Sequence, residues 1–545
     1  MFTNIILPII LFGILVFIHE LGHFTIAKLS GVFVESFALG FGPALFRKKW
    51  GETEYAIRIF PLGGYVKMRG EDPTEDEKTA SDPRSFSTKP LRTRMAIVAM
   101  GPTSNLLLPI LLFTSLFIVG TPVPTSHIGS VIPGYPADKA SLRAGDKILS
   151  VEGVEVSTWN EMTASLRKRT DQSTILQIER EGKTFPVTLT PVGELEPNMY
   201  GENHLVGKIG VDLQPYRPVI GIKNQNGVAS KIGLKTGDVV TSADGKQVSF
   251  WWEFEEAFRK AKGVKKLAVE RLVSEDKFEK KEFELPKKVT SLNAAGIESG
   301  ELYIREVKPD AIAFEKGLKA EDRLMTLNGE KIDSWYTFRK RIQENKGTPI
   351  TVGILRKGQL LTIDLIPKEV VQKDEFTKES KKTRQLGVIS CAIPSEPQIK
   401  IEKYLNPFRA LKRGFEETWE VAYTNVVGLF KLFSGKLSLN TLGGPISIFY
   451  LAGSSYKIGG WHSFIKMMAI LSVTLGILNF LPIPVLDGGH LFFFLIEAVK
   501  GSPVQMKIRH IAQQVGLFIL VSLMVLVFYV DINRYLVDRI KSLFN

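Results

Sequence analysis

His19-Glu20-Leu21-Gly22-His23 lies inside residues 5–27, a stretch otherwise apolar and long enough to cross a bilayer. No other feature constrains the chain as much. If that stretch is helical, His19 and His23 are four residues apart and stand one above the other on one face. Two imidazoles so spaced can hold one Zn²⁺, with Glu20 placed to take a proton from water on the metal. The bland alternative is a pair of satisfied histidines at a helix end. It is disfavoured because histidine is scarce, 7 in 545 residues, and because ionisable groups in an apolar helix are costly.

Three further segments, residues 95–120, 467–486 and 511–530, are also apolar enough to span. A cleaved signal peptide is a poor reading of the first, since residues 1–4 carry no Lys or Arg and the metal motif falls where cleavage would occur. Lys28, Arg47, Lys48, Lys49, Arg58, Lys67, Arg69, Arg92 and Arg94 lie between the first two spans. Lys500, Lys507 and Arg509 follow the third. Both loops therefore read as cytoplasmic, with both termini and the long central region outside and the metal motif near the cytoplasmic side. The net charge of +13 is dispersed among 57 acidic residues with no compact basic stripe, so a lipid bilayer is the expected partner and nucleic acid is not. Cys391 is the only cysteine, which excludes a cysteine-built metal site and leaves histidine and carboxylate as ligands.

Within the first cytoplasmic loop, residues 32–41 and 55–68 are rich in Val, Ile, Phe and Tyr and punctuated by Gly and Pro, which predicts a β-hairpin or small sheet. Its edge could hold an extended peptide through main-chain hydrogen bonds. Residues 71–89 read as a charged linker.

The central region repeats itself. Ser141-Leu-Arg-Ala-Gly-Asp146, Gly233-Leu-Lys-Thr-Gly-Asp238 and Gly317-Leu-Lys-Ala-Glu-Asp322 align without gaps. Each Asp is followed at fixed distances by a glycine (Gly153, Gly245, Gly329) and a tryptophan (Trp159, Trp251, Trp335). The spacing is that of whole small domains. The pattern resembles PDZ domains of the bacterial protease-associated type, and that resemblance implies peptide binding between a strand and a helix. After the third copy, residues 369–384 read as a solvated Lys/Glu-rich linker. Phe408, Leu411, Phe415, Trp419, Ala422, Val426, Leu429 and Phe433 then mark an amphipathic helix on the outer membrane face or against the spans. Residues 442–453 are apolar but too short to cross.

The third span ends in Asn479-Phe-Leu-Pro-Ile-Pro-Val-Leu-Asp-Gly-Gly-His490. Pro482 and Pro484 break the helix, and such a break is tolerated in a membrane where it lines a cavity. A catalytic zinc needs a third protein ligand and one open position. Asp487 is the best placed candidate. His490 competes for the role, and spacing leaves both open.

These stretches, together with Gly101-Pro-Thr-Ser-Asn105, Pro61-Leu-Gly-Gly-Tyr-Val-Lys-Met68 and Gly443-Gly-Pro-Ile446, resemble the bacterial site-2 protease family, in its regulator of sigma-E protease branch. The resemblance covers most of the chain. It implies a zinc metalloendopeptidase that cuts transmembrane segments of single-span proteins, releasing anti-sigma factors or trimming remnant signal peptides, in the inner membrane. It implies zinc ligands at His19, His23 and Asp487, the catalytic acid/base at Glu20, and substrate contacts at Asn479, Pro482 and Pro484. The implied fold is a polytopic α-helical membrane protein of about four spans, with a cytoplasmic-side reentrant β-hairpin and three tandem extracytoplasmic PDZ-like α+β domains.

The expected order is a first span with the metal motif (1–30), hairpin and linker (31–94), second span (95–120), PDZ-like copies at 121–205, 206–290 and 291–370, then linker and amphipathic helices (371–463). The third span with its broken end (464–497), a cytoplasmic loop (498–510) and the fourth span with a tail (511–545) complete it. Three copies depart from the two that the best-known family members carry. Two other classes compete: a membrane-bound zinc protease of misfolded soluble proteins, which has no need of a Pro-broken Asp-bearing span, and an inactive PDZ scaffold, which has no reason to retain His19, Glu20, His23 and Asp487 together.

Overall fold

The computed structural model describes residues 2–71, 82–198, 202–260, 266–274, 277–286, 288–373, 380–437 and 443–535. Residues 72–81, the middle of the expected charged linker, lie outside that set. Two units emerge, one from residues 1–121 with 401–545 and one from residues 122–400.

The first unit is built on helices. Among the described residues, four are long and apolar enough to cross a membrane: Ile5–Leu29, Leu91–Val119, Pro445–Asn479 and Met506–Tyr535. The first lies within α1 (Phe2–Leu29), and the second is α2 (Leu91–Val119). Helix α3 (Pro407–Phe433) carries the expected amphipathic stripe. It lies against α2, where Gly414 comes so close that a Cβ there would stand 2.4 Å from Thr114 Oγ1. Phe415, Trp419 and Tyr423 on its other face stay exposed.

Helix α4 (Pro445–Asn479) takes in residues 445–453 of the stretch 442–453 that the sequence set apart as a short apolar piece, whose residue 442 lies outside the described residues, and breaks at Gly459–Gly460. The break is sharp enough that Ser455 Oγ donates to Met467 Sδ at 3.2 Å. The stretch expected as one third span at 464–497 is in fact two helices. Helix α4 stops at Asn479, and α5 (Asp487–Lys500) begins after the Pro482/Pro484 interruption, because neither proline can donate to a helical ladder. Helix α6 (Met506–Tyr535) buries Asp531, whose carboxylate accepts from Gly444 N (3.1 Å), Ser447 N (3.0 Å) and Ser447 Oγ (2.5 Å) and so caps the start of α4.

Strands β1 (Val34–Trp50) and β2 (Thr53–Met68) form the predicted hairpin, folded back on itself. Ser36, Phe37, Ala38 and Leu39 pair with residues 54–57 on one side and with residues 64–67 on the other, so one long hairpin makes a small antiparallel sheet. Phe41, Leu45, Phe46, Trp50, Ile59 and Phe60 project from its outer part and are exposed.

The second unit contains one topology three times. In space, strands Val154–Glu155, Lys147–Val151, Thr174–Arg180 and Lys183–Leu189 lie side by side, all antiparallel. Val239–Ala243 and Arg323–Leu327 sit second in two sheets of the same order. Helices Trp159–Arg167, Trp251–Lys260 and Trp335–Glu344 fill the corresponding places, and each copy has its own apolar core.

The repeated Asp is a structural post in every copy. Arg180, Arg271 and Arg356 each grip Asp146, Asp238 and Asp322 with Nε and Nη2 at 2.6–2.7 Å, and each Asp is 1% exposed. The stretch expected as a solvated linker at 369–384 is instead the strand pair Lys368–Lys373 and Ser380–Gln385, and Leu386 just beyond it belongs to the third core. Opposite charges favour this pairing, since Glu369 faces Arg384 and its Oε1 lies 2.9 Å from Lys382 Nζ.

Candidate metal centre

Helix α1 presents the two histidines as their spacing requires, with Nε2 atoms 3.2 Å apart. Asp487 opens α5 and reaches both: Oδ2 lies 3.1 Å from His19 Nε2 and Oδ1 lies 3.6 Å from His23 Nε2. Its position follows from the local sequence. After the prolines the chain must double back tightly, and Gly488 and Gly489 allow it, because a Cβ at either would stand 2.2 or 2.3 Å from the carbonyl oxygens of Leu481 and Ile483. The other end of α5 is tied to α2 by the two-pronged pair of Arg94 with Glu497, its shorter arm 2.5 Å.

Helix α2 fixes the imidazoles. His23 is buried, and its Nδ1–H donates to Ile97 O at 2.9 Å, which turns the Nε2 lone pair toward Asp487. Gly101 leaves the room for that ring, since a Cβ there would lie 2.2 Å from His23 Nε2. The amide nitrogens of Asn105 and Asn479 each stand 3.4 Å from His19 Nδ1. Glu20 lies within electrostatic reach of His19, His23 and Asp487. The hairpin comes down beside it, because a Cβ on Gly64 of β2 would meet Glu20 Cγ at 3.0 Å.

The structure thus brings His19, His23, Asp487, Glu20 and Asn479 together. Among the described residues, the group able to hold a metal is His19, His23 and Asp487, and His490 is outside it. Pro484 packs on Gly516 of α6, while Pro482 is exposed. Sequence reasoning missed Ile97, Gly101 and Asn105 as parts of the site. The signal was present, because Gly101 and Asn105 are four apart on α2 and match His23 and His19 four apart on α1.

The three ligand atoms fit a zinc ion. Ligands held at about 2 Å in a tetrahedron stand roughly 3.3 Å from one another. The observed separations are 3.1, 3.2 and 3.6 Å. Two neutral imidazoles and a carboxylate are also a donor set that leaves one position open for catalysis.

Comparison with known proteins agrees with the geometry. The profile of Peptidase family M50 matches residues 7–523. The chain belongs to peptidase family M50. It is 31% identical over 533 residues to the Yersinia pestis "Protease RseP", covering 96% of this chain and 97% of that protein. It is 30% identical over 540 residues to the Salmonella typhimurium "Regulator of sigma-E protease RseP", covering 97% and 98%. A "Putative zinc metalloprotease" of Neisseria meningitidis is 30% identical over 528 residues, covering 96% and 97%.

Among solved structures, a PDZ domain of the SdrC-like protein from Listeria monocytogenes matches at 21% identity, covering 17% of this chain and 90% of that one, with a TM-score of 0.14. A PDZ domain protein from Parabacteroides distasonis matches at 11%, covering 48% and 95%, with a TM-score of 0.13. Scores that low carry no argument about the fold. As a member of family M50, the chain is a zinc metalloendopeptidase of the site-2 protease type and a multi-pass membrane protein.

Proposed function

We propose that this M50 peptidase cuts transmembrane segments of single-span proteins in the inner membrane, with His19, His23 and Asp487 as zinc ligands and Glu20 as the catalytic acid/base. The observation that carries the reading is the meeting of Asp487, at the start of α5, with His19 and His23 of α1, a helix long and apolar enough to cross a membrane. Zinc held there supplies Lewis acidity, lowering the pKa of a coordinated water to about 7 and polarising the scissile carbonyl.

This chain's residues do the rest. Glu20 accepts the proton of the attacking water and passes it to the leaving amine. Peptide bonds inside a helix are shielded by their own hydrogen bonds, so the substrate must be unwound first. Asn479, Pro482, Pro484 and the edge of β2 hold it extended, the edge through main-chain hydrogen bonds. Support for that role is the approach of Gly64 to Glu20 and the position of the edge residues 64–67 in the sheet. The exposed apolar tip of the hairpin supports its dipping into the bilayer as a reentrant element.

The three copies in residues 122–400 are read as PDZ-like domains outside the cytoplasm, and the relatives' role in regulating sigma-E makes anti-sigma-factor-like proteins, or leftover signal peptides, the substrate class. The test is capture with Glu20→Gln, which removes the proton acceptor and no ligand. Purified variant should keep zinc, fail to cleave and retain single-span membrane proteins. Cleavage near the wild-type rate would refute the role of Glu20.

A further inference from the structure

We infer that Asn105 is a positioning residue: its side-chain oxygen accepts the Nδ1–H of His19 and so fixes the tautomer and ring orientation of that ligand. The inference rests on the zinc reading above. His19 faces Asp487 and His23 with Nε2, at 3.1 and 3.2 Å, so Nε2 is the atom that must carry the lone pair. A neutral imidazole has one N–H, which then sits on Nδ1 and needs an acceptor. For His23 that acceptor is the Ile97 carbonyl. For His19 the nearest polar groups are the amides of Asn105 and Asn479, both with nitrogen at 3.4 Å. An amide nitrogen cannot accept, so one of the two side chains must present its oxygen instead, a half-turn about its last bond that leaves the shape unchanged.

Three observations select Asn105. It is fully buried, and its Oδ1 has no hydrogen-bond partner where it now points, so turning it breaks nothing. Turned, it leaves one amide group unpaired where before an oxygen was orphaned and two N–H groups faced each other. Its backbone is also pinned, because Ser472 Oγ of α4 donates to Asn105 O at 2.7 Å. Asn479, by contrast, is half-buried at the last position of α4, beside the proline break, and remains available to a bound substrate.

The experiment is competition for zinc between a chelator and full-length protein in detergent, for wild type, Asn105→Leu, Asn105→Asp and Asn479→Leu. Loss of such an orienting partner weakens metal binding about 10–100-fold. Asn105→Leu should show that loss, Asn105→Asp, which keeps an acceptor, should restore affinity to within a few-fold, and Asn479→Leu should bind zinc like wild type. Because Asn105→Leu could fold poorly, a second readout uses nitrogen-15-labelled histidine in zinc-loaded protein. The His19 Nδ1 resonance should be that of a protonated nitrogen and should shift in Asn105→Asp but not in Asn479→Asp. Unchanged affinity in Asn105→Leu, or a resonance that responds only at Asn479, overturns the inference while the zinc centre stands. Wild-type protein that binds no zinc overturns the zinc reading itself, and this inference with it.

Discussion

Adding one methyl group at Gly101 should dismantle the metal centre. The built Cβ stands 2.2 Å from His23 Nε2 and 2.4 Å from its Cε1, where ordinary contact begins near 3.4 Å, so about 1.2 Å must be found. The ring cannot swing aside freely, since doing so breaks the bond from Nδ1 to Ile97 O. Nor can α1 and α2 part at that level without opening a second tight contact, because a Cβ on Gly22 would already lie 2.1 Å from Ser104 Oγ. Metal–ligand distances tolerate only about 0.2 Å. Displacing one of three ligands by several times that should weaken zinc binding at least as much as losing an orienting partner, about 10–100-fold. At about 1.4 kcal/mol per factor of ten this is roughly 1.4–2.8 kcal/mol. The assay is chelator competition on Gly101→Ala, with Gly13→Ala as control, because a Cβ at Gly13, on α1 with the two histidines, meets nothing within 4 Å. Zinc affinity within about twofold of wild type for Gly101→Ala would refute the claim that this glycine makes room for the ligand.

In the repeats, Asp238→Ala should destabilise the second copy by about 3–5 kcal/mol, since it strands the Arg271 guanidinium and the Lys235 N–H. Hydrogen exchange localised to residues 239–260 reads it, and a loss below about 1 kcal/mol would contradict it. Burial raises the Glu301 carboxyl above its usual range against a single bond from Trp335 N–H. The folded state therefore holds that proton to higher pH than the unfolded state, and stability falls as pH rises from about 4.5 to the folded pKa. Glu301→Gln should flatten that slope in thermal unfolding above about pH 4.5, and an unchanged slope would contradict it. Deleting residues 122–400, the whole second unit, should speed cleavage of uncut full-length substrates and leave pre-cut ones unaffected if the repeats filter by size. Slower cleavage of pre-cut substrates would instead mean that the repeats recruit them.

Much of the site was legible because its chemistry is local. The i, i+4 histidines declare themselves on any helix, and Asp487 stood out as a carboxylate behind two prolines. What the sequence hid depends on contacts between distant segments. Asn105 and Gly101 matter because of what α1 places opposite them. Arg180, Arg271 and Arg356 recur about as regularly as the Asp residues they grip, but a lone Arg on a strand looks like any solvated charge. The doubled hairpin was readable as strands and not as a folded-back sheet, since its pairing of residues 36–39 on both sides is a matter of register. The same limit explains residues 369–384. A Lys/Glu-rich run looks like a solvated linker until a partner strand places opposite charges beside one another.

The most direct test of the central claim is zinc content per chain after dialysis of the purified full-length protein against a chelator. Wild type and Glu20→Gln should each retain about one zinc, Asp487→Asn should lose it, and His490→Ala should keep it. Zinc retained by Asp487→Asn and lost from His490→Ala or Glu20→Gln would mean that the third ligand is not Asp487 and that the proposed division of roles is wrong.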